Sequence, residues 1–310
     1  MIKIGVVQAT PSLFSSDKTI RIVEKWIRKA SQEKCRLVLF PEAFIPGYPR
    51  GMDFGTVVGR RTEKGKKQWQ NYWENSIEVP GRYTEMLGEL ARQHATYLAI
   101  GVSERDSTSK TLYCTLLYFN PDGKLLGKHR KIKPTGSERI IWGEGDSTTL
   151  TTINSRIGKI GGLICWENYM PLARMAMYTK GIDIYLAPTA DNRDSWLTAM
   201  KHIAMEGRCF VLSANQFVCK DHYPLPLKEE IKEENEIMSP GGSVIISPNG
   251  ELLAGPLYNK EGLLTADFDS GEVIRSRMDF DVIGHYSRND IFDFRVRNIP
   301  DIIQDTRLDN

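Results

Sequence analysis

Short runs rich in Val, Ile and Leu recur along the chain, at 3–8, 36–40, 97–102, 112–119, 160–164, 182–186, 209–212, 243–246 and 263–268. Each has the length of a strand, and most are nearly continuous in apolar character, as expected of strands covered on both faces. Amphipathic segments of helical length lie between several of them, at 18–33, 83–94, 171–179 and 196–207. Strands alternating with helices predict an α/β protein whose sheets are covered by helices.

Two pairs of segments resemble one another. Residues 117–127 read strand, Pro-Asp-Gly turn, strand, and residues 244–254 repeat that order around Pro-Asn-Gly. Both turns have the chemistry of a β-hairpin that needs positive φ. Residues 36–43, ending Phe-Pro-Glu-Ala, likewise resemble 183–190, ending Ala-Pro-Thr-Ala. Matched pairs in the same order predict pseudo-symmetric halves, and two sheets packed as a sandwich with helices outside would accommodate them. No Pro-, Gly- or Ser-rich linker divides the chain.

Length and composition then narrow the class. At 310 residues the prior is two domains, but one α/β domain also reaches this size, and the absence of a linker favours one. Lys and Arg number 41 and Asp and Glu 39, a net charge of +2, so no general electrostatic claim on nucleic acid or an anionic membrane follows. The basic segment 60–67, with Trp69, Tyr72 and Trp73 downstream, is read as a solvated face rather than a nucleic-acid patch. The acidic run 228–236 is read the same way. The opening run alternates like a strand and is too short for a signal peptide, and no stretch approaches the ~20 apolar residues of a membrane span. Cys35, Cys114, Cys165, Cys209 and Cys219 are odd in number and widely spaced, which points away from a disulfide framework or zinc site and towards the cytoplasm.

Three apolar runs end on unusual residues. Val38-Leu-Phe-Pro ends on Glu42, a second run ends in the basic cluster His129-Arg-Lys131, and Gly161-Gly-Leu-Ile ends on Cys165 before a helix-like segment. Residues just past strand C-termini line the binding crevice of α/β proteins, and a cysteine on a strand-to-helix turn is placed like an exposed nucleophile. Taken singly, Glu42 reads as a helix-cap partner, Lys131 as a surface cation and Cys165 as core packing. Together they supply a thiol, a carboxylate and an ammonium. A free thiol with pKa near ~8.5 needs a base, which Glu42 becomes if burial raises its pKa, and Lys131 would stabilise developing negative charge. The competing Cys–His arrangement has only His129 near a strand end, beside two cations.

These stretches match a known pattern. Phe40-Pro-Glu42-Ala-Phe, His129-Arg-Lys131-Ile-Lys-Pro-Thr135 and Cys165-Trp166-Glu167-Asn168-Tyr-Met-Pro171 resemble the three catalytic motifs of the nitrilase superfamily. The similarity continues through 142–146, 187–191, 202–213 and 284–290, and so runs from about residue 3 to about 296. It implies a four-layer α-β-β-α sandwich that dimerises into eight layers, in one domain over 1–296 with a short tail at 297–310. It implies Glu42 as general base, Lys131 as the cation at the tetrahedral intermediates and Cys165 as nucleophile. A second glutamate of the family falls on Glu138, which would orient Lys131 and help place substrate or water.

Cys-Trp-Glu-Asn and Arg-Lys-Ile-Lys-Pro-Thr resemble the true nitrilase branch, of plant and cyanobacterial type, more than the amidases. Ser147 and Asn215 depart from the family pattern, which has Gly and Cys there, and both bear on pocket packing. The implied reaction takes an organic nitrile and water to carboxylic acid and ammonia through a thioimidate and an acyl-thioester, with no metal or organic cofactor. Tyr48, Trp142, Trp166, Thr189 and Trp196 are the expected pocket walls. An amidase or carbamoyl hydrolase with the same three groups is the nearest rival, followed by a cyanide-degrading member or a catalytically silent scaffold. A homodimer or larger homo-oligomer is the implied assembly, with nucleic acid and membrane not among its partners.

Overall fold

β1 (Ile2–Gln8) opens the chain in the computed structural model, which describes residues 2–231 and 235–305. Residues 232–234 of the acidic run and 306–310 of the expected tail lie outside the described residues. After β1 come α1 (Ser16–Gln32), β2 (Cys35–Leu39), a ribbon of β3 (Thr56–Val57) and β4 (Arg60–Arg61), α2 (Glu63–Asn75) and α3 (Arg82–Gln93). β5 (Tyr97–Arg105), β6 (Leu112–Phe119) and β7 (Leu125–Arg130) complete the first half. The second half begins with β8 (Thr152–Ser155), β9 (Gly158–Gly162), α4 (Pro171–Tyr178), β10 (Ile184–Pro188), α5 (Asp194–Gly207) and β11 (Phe210–Ala214). It ends with β12 (Phe217–Cys219), α6 (Leu227–Glu230), β13 (Ile237–Ile246), β14 (Leu252–Tyr258), β15 (Gly262–Phe268), α7 (Ser270–Asp279) and β16 (Ile303–Gln304).

One sheet has the order β15-β1-β2-β5-β6-β7 and the other β12-β13-β11-β10-β9-β8-β16, with β14 paired to β13. Three parallel strands form the centre of each: β1, β2 and β5 in the first, β9, β10 and β11 in the second. An antiparallel hairpin follows in each, β6–β7 and β13–β14. The two similar segment pairs of the sequence fall on equivalent places, β2 with β10 and hairpin with hairpin. Gly123 and Gly250, at φ +86° and +85°, close the two turns.

The near-continuous apolar runs follow from what lies on either side. Leu37 and Leu39 of β2 join a cluster that also holds Ile184, Leu186, Phe210 and Leu212 of the other sheet. Val38 between them packs with Ile20, Val23 and Ile27 of α1 and Leu87 of α3. In β10, Tyr185 and Ala187 face Met177 of α4 and Met200 and Ile203 of α5. On α1 the buried Thr19, Ile20, Val23, Trp26, Ile27 and Ala30 recur every three or four residues, one helical face. Each fully buried Val or Ile there contributes roughly 1.5–3 kcal/mol.

The basic segment is solvated, as its sequence suggested, and the structure adds two features that the sequence did not show. The basic segment divides between β4 and α2; Arg60, Arg61, Lys64, Lys66 and Lys67 are exposed, while Tyr72 is buried and stacks on Phe14 and Phe54. Tyr72 therefore belongs to the core, while Trp69 and Trp73 are half-buried against it, Trp73 beneath Arg105 and Lys110. α2 itself escaped sequence reading because Gly65 interrupts its start, where a Cβ would stand 1.9 Å from the carbonyl oxygen of Phe54. Beyond residue 296 the chain returns to the second sheet as β16. Ile303 and Gln304 pair with β8, and Asp305 accepts hydrogen bonds from Tyr97 Oη at 2.6 Å and Asn120 Nδ2 at 3.0 Å. Among the described residues no helix is long and apolar enough to cross a membrane.

Candidate active site

Each expected site residue sits just beyond a strand. Glu42 follows β2, and the chain there crosses β5 so closely that a Cβ on Gly101 would lie 2.4 Å from Pro41 O and 2.6 Å from Glu42 Cα. Glycine is required at that crossing. Lys131 follows β7, its N–H donating to Cys114 O at 2.7 Å. Cys165 follows β9 at the start of a 3-10 turn, Cys165–Tyr169, with φ +51°. A non-glycine residue in that region is strained, the condition expected of a nucleophile held out on a sharp strand-to-helix turn. Asn168 holds the turn closed, donating to Cys165 O at 2.7 Å and Leu163 O at 3.0 Å.

The first sheet thus delivers a carboxylate and an ammonium, and the second a thiol. Lys131 Nζ donates to Glu42 Oε1 at 2.6 Å and to Glu138 Oε2 at 2.7 Å, and both Lys131 and Glu42 are fully buried. Glu138 is fixed further by Thr135 N–H at 2.7 Å and by Tyr48 Oη, which donates to its Oε1 at 2.8 Å. Thr189 Oγ1 donates to Cys165 Sγ at 3.2 Å. Glu42 Oε2 is buried and, among the described residues, has no hydrogen-bond partner.

Burial sets the electrostatics. It pushes Glu42 above the ordinary carboxylate range against the pull of Lys131, with Glu138 adding repulsion. Burial, then the negative charge of Glu42, pushes the Cys165 thiol up to about 12. Burial alone would lower the Lys131 ammonium, but Glu42, Cys165 and Glu138 around it hold it well above its usual value. The resting thiol is therefore protonated, and its ionisation needs a base at the moment of attack.

A cleft of about 380 Å³ opens onto this group, lined by Tyr48, Trp166, Cys165 and Glu138 and by Arg50, Thr135 and the turn 190–193. Larger grooves of about 470 and 500 Å³ lie between α2 and α6, lined by Lys64, Gln68, Leu227 and Glu230, with no nucleophile in them. Trp142 does not line the cleft. It is buried behind Tyr48, ring centroids 5.7 Å apart, its Nε1 donating to Ser103 Oγ at 3.0 Å. Trp196 is also core, donating to Ser213 Oγ at 2.9 Å and separated from Trp166 by the ring of Tyr169. Both indoles satisfy their N–H inside the protein, where a bulky aromatic contributes most by packing.

Sequence reading missed the 190–193 wall. Asp191 accepts from Trp166 Nε1 at 2.8 Å and from Arg193 Nε at 2.9 Å, while Arg193 lies over the Trp166 ring, 4.6 Å from its centroid. Asn215, one of the two departures, anchors this wall by donating to Asp191 O and Gly241 O, each at 2.8 Å. Ser147, the other, hydrogen-bonds Arg297 O away from the cleft. Cys114 also escaped notice: its thiol lies 3.5 Å from Glu42 Oε1, so it belongs to the site rather than to packing alone. All five cysteines are free. Among the described residues no group of three or more His, Cys, Asp or Glu is arranged to hold a metal ion.

Two sheets with parallel centres, converging on a thiol beside a buried ammonium and two carboxylates, describe an α/β protein equipped for thiol-based hydrolysis. Residues 3–278 match the carbon-nitrogen hydrolase family, and the chain belongs to it. The bifunctional nitrilase/nitrile hydratase NIT4A of Nicotiana tabacum is 50% identical over 303 residues, covering 96% of this chain and 86% of that protein. An aliphatic nitrilase of Sinorhizobium fredii is 48% identical over 297 residues, covering 96% of each. The crystal structure of a carbon-nitrogen hydrolase from Helicobacter pylori superposes with TM-score 0.74 at 21% identity, covering 94% of this chain and 96% of that one, a likeness of fold.

Proposed function

We propose that this protein hydrolyses an organic nitrile to the carboxylic acid and ammonia. In this reading Cys165 is the nucleophile, Glu42 the general base, Lys131 the stabilising cation and Glu138 the group that orients Lys131. The observation that carries it is the buried Glu42–Lys131–Glu138 set, whose Glu138 lines one cleft with Cys165, in a chain about half identical to named nitrilases.

Because the thiol is pushed up to about 12, Glu42 takes its proton as sulfur attacks. The S–C bond forms, the nitrile nitrogen gains the proton, and a thioimidate results. Glu42 then deprotonates water as its oxygen adds to the same carbon. Protonated nitrogen leaves as ammonia, and an acyl-thioester remains. A second water, activated likewise, releases the carboxylic acid and returns the thiol. Lys131, with the Trp166 backbone N–H, stabilises the negative charge that develops at each addition. If the tetrahedral species breaks its C–S bond instead, amide leaves, the branch suggested by relatives named as both nitrilase and nitrile hydratase.

The three apolar clusters support a four-layer α-β-β-α arrangement, which we extend to a homodimer of eight layers in the cytoplasm. We draw its single domain over 1–296, with the described part of 297–310 packed onto it through β16.

Ammonia release from a panel of nitriles and matching amides, with Cys165→Ala as control, tests the assignment. Turnover of nitriles that vanishes in Cys165→Ala is expected. Turnover confined to amides would move the protein to the amidase reading, and turnover surviving Cys165→Ala would sink the thiol mechanism.

A further inference from the structure

Two ionisable side chains lie beside the site and take no part in the chemistry above. His129 of β7 and Glu167 of the Cys165–Tyr169 turn are both fully buried, with His129 Nε2 at 2.9 Å from Glu167 Oε2. His129 Nδ1 lies 3.1 Å from Thr149 O. A carbonyl only accepts, so Nδ1 carries a hydrogen, and one further proton lies between Nε2 and the carboxylate.

Glu167 also accepts from two backbone donors. Ile132 N–H reaches its Oε1 at 2.5 Å and Ile164 N–H its Oε2 at 2.7 Å. Ile132 follows Lys131, and Ile164 precedes Cys165. The ammonium's strand end is anchored to the first sheet through Cys114 O, and the thiol's to the second through the Leu163 N–H bond to Leu186 O at 3.1 Å. One carboxylate therefore ties together two strand ends that belong to different sheets.

We propose that Glu167, held in place by His129, is a positioning residue that sets the separation between Lys131 and Cys165. This rests on the roles given to those two residues above. The physical reason is the sensitivity of attack geometry: a displacement of about 1 Å at reacting groups can cost ~10²-fold in rate. Gln216 Nε2 donates to Glu42 O at 2.7 Å and so ties the Glu42 strand end to the second sheet. Glu167 does the same for the other two, and a carboxylate accepting from both strand ends fixes direction as well as distance, which apolar contacts between the sheets do not.

Glu167→Gln keeps the shape but offers one carbonyl to two N–H donors, so one strand end loses its acceptor. We expect kcat per titratable Cys165 thiol to fall about 10²-fold, with KM within about threefold. His129→Gln should lose about tenfold. Leu87→Ala, a cavity in α3 remote from the site, should reduce folded protein but leave kcat per titrated thiol within about twofold. Alkylation of Cys165 by iodoacetamide, followed by peptide mass spectrometry, reads the same geometry without nitrile turnover and should slow about tenfold in Glu167→Gln.

A kcat per thiol within threefold of the parent in Glu167→Gln, or an unchanged alkylation rate, overturns the proposal. If Glu167→Gln does not fold, His129→Gln in the same two assays decides it, and a change below twofold overturns it. If the parent turns over no nitrile while Cys165 alkylation still depends on Glu167, the functional reading fails and the positioning role stands.

Discussion

Residues 128–131 send alternate side chains to opposite faces of the strand, and the carboxylates they meet there differ in the number and solvation of their cations. Lys128 and Arg130 point to Glu104, at 2.5 Å each, and keep about a quarter and a fifth of their side chains exposed. His129 and Lys131 point the other way and are fully buried. Glu104 and Glu42 are both sealed carboxylates hydrogen-bonded to cations. Burial raises each, but at Glu104 the hydrogen bonds of Arg130 and Lys128 outweigh it and hold the carboxyl below its ordinary range. At Glu42 the single cation is itself buried and shared with Glu138, and burial wins. Two partly solvated cations make an ion pair, whereas one dry, shared cation leaves a carboxylate poised to take a proton.

The comparison breaks most visibly at the cations. Lys131→Ala should lower kcat/KM by about 10³-fold, the scale of a lost electrostatic stabiliser, whereas Arg130→Ala should stay within about threefold. Initial rates on one nitrile at matched folded concentration check this. Glu104→Gln should instead cost about 1–3 kcal/mol of stability by weakening the charged hydrogen bonds of two partly solvated cations. Urea titration measures that loss, and kcat per folded molecule should stay within about twofold.

Acid sharpens the contrast by its sign. Glu104 has a depressed folded pKa, so its stabilisation is present above the ordinary ~4.3 and is lost as pH falls through the folded value. Glu42 has a raised pKa, so its base form is lost as pH falls through a value above that of Glu104, with kcat/KM falling about tenfold per unit below it. Activity should therefore vanish on acidification while urea titration still reports a folded protein. Coincident loss of both would place the two carboxylates in the same regime.

Smaller effects test the walls. Thr189→Val removes the hydroxyl that donates to Cys165 and accepts from Asp191 N–H, and should cost about 2–10-fold in kcat/KM. Trp196→Phe should cost about 1 kcal/mol in thermal or urea stability through its lost bond to Ser213, without reordering nitrile preference. Trp166→Phe, at the cleft, should reorder it.

The legible parts of the site were those whose chemistry is odd for their surroundings. Glu42, Lys131 and Cys165 each stand just past a strand, and their complementary chemistry singled them out before any coordinate did. Glu138 was reached through family resemblance, since nothing in Gly-Ser-Glu-Arg marks a residue that turns inward. Trp142 and Trp196 were misplaced because an aromatic ring reads alike whether it backs a wall or forms one. Nothing in sequence marks Cys114, which sits mid-strand, and only the neighbouring strand end shows that its thiol meets Glu42.

Sequence alone determined the α/β class, the paired hairpins and the thiol, carboxylate and ammonium, because alternation and strand ends are local properties. Which charges are dry was decided by the tertiary structure. His-Arg-Lys is one basic string in sequence, yet strand pleating sends neighbours to opposite faces, and only packing of one sheet on the other makes one face waterless. The link from Glu167 to both Ile132 and Ile164 is likewise invisible in sequence, since it exists only where the two sheets meet.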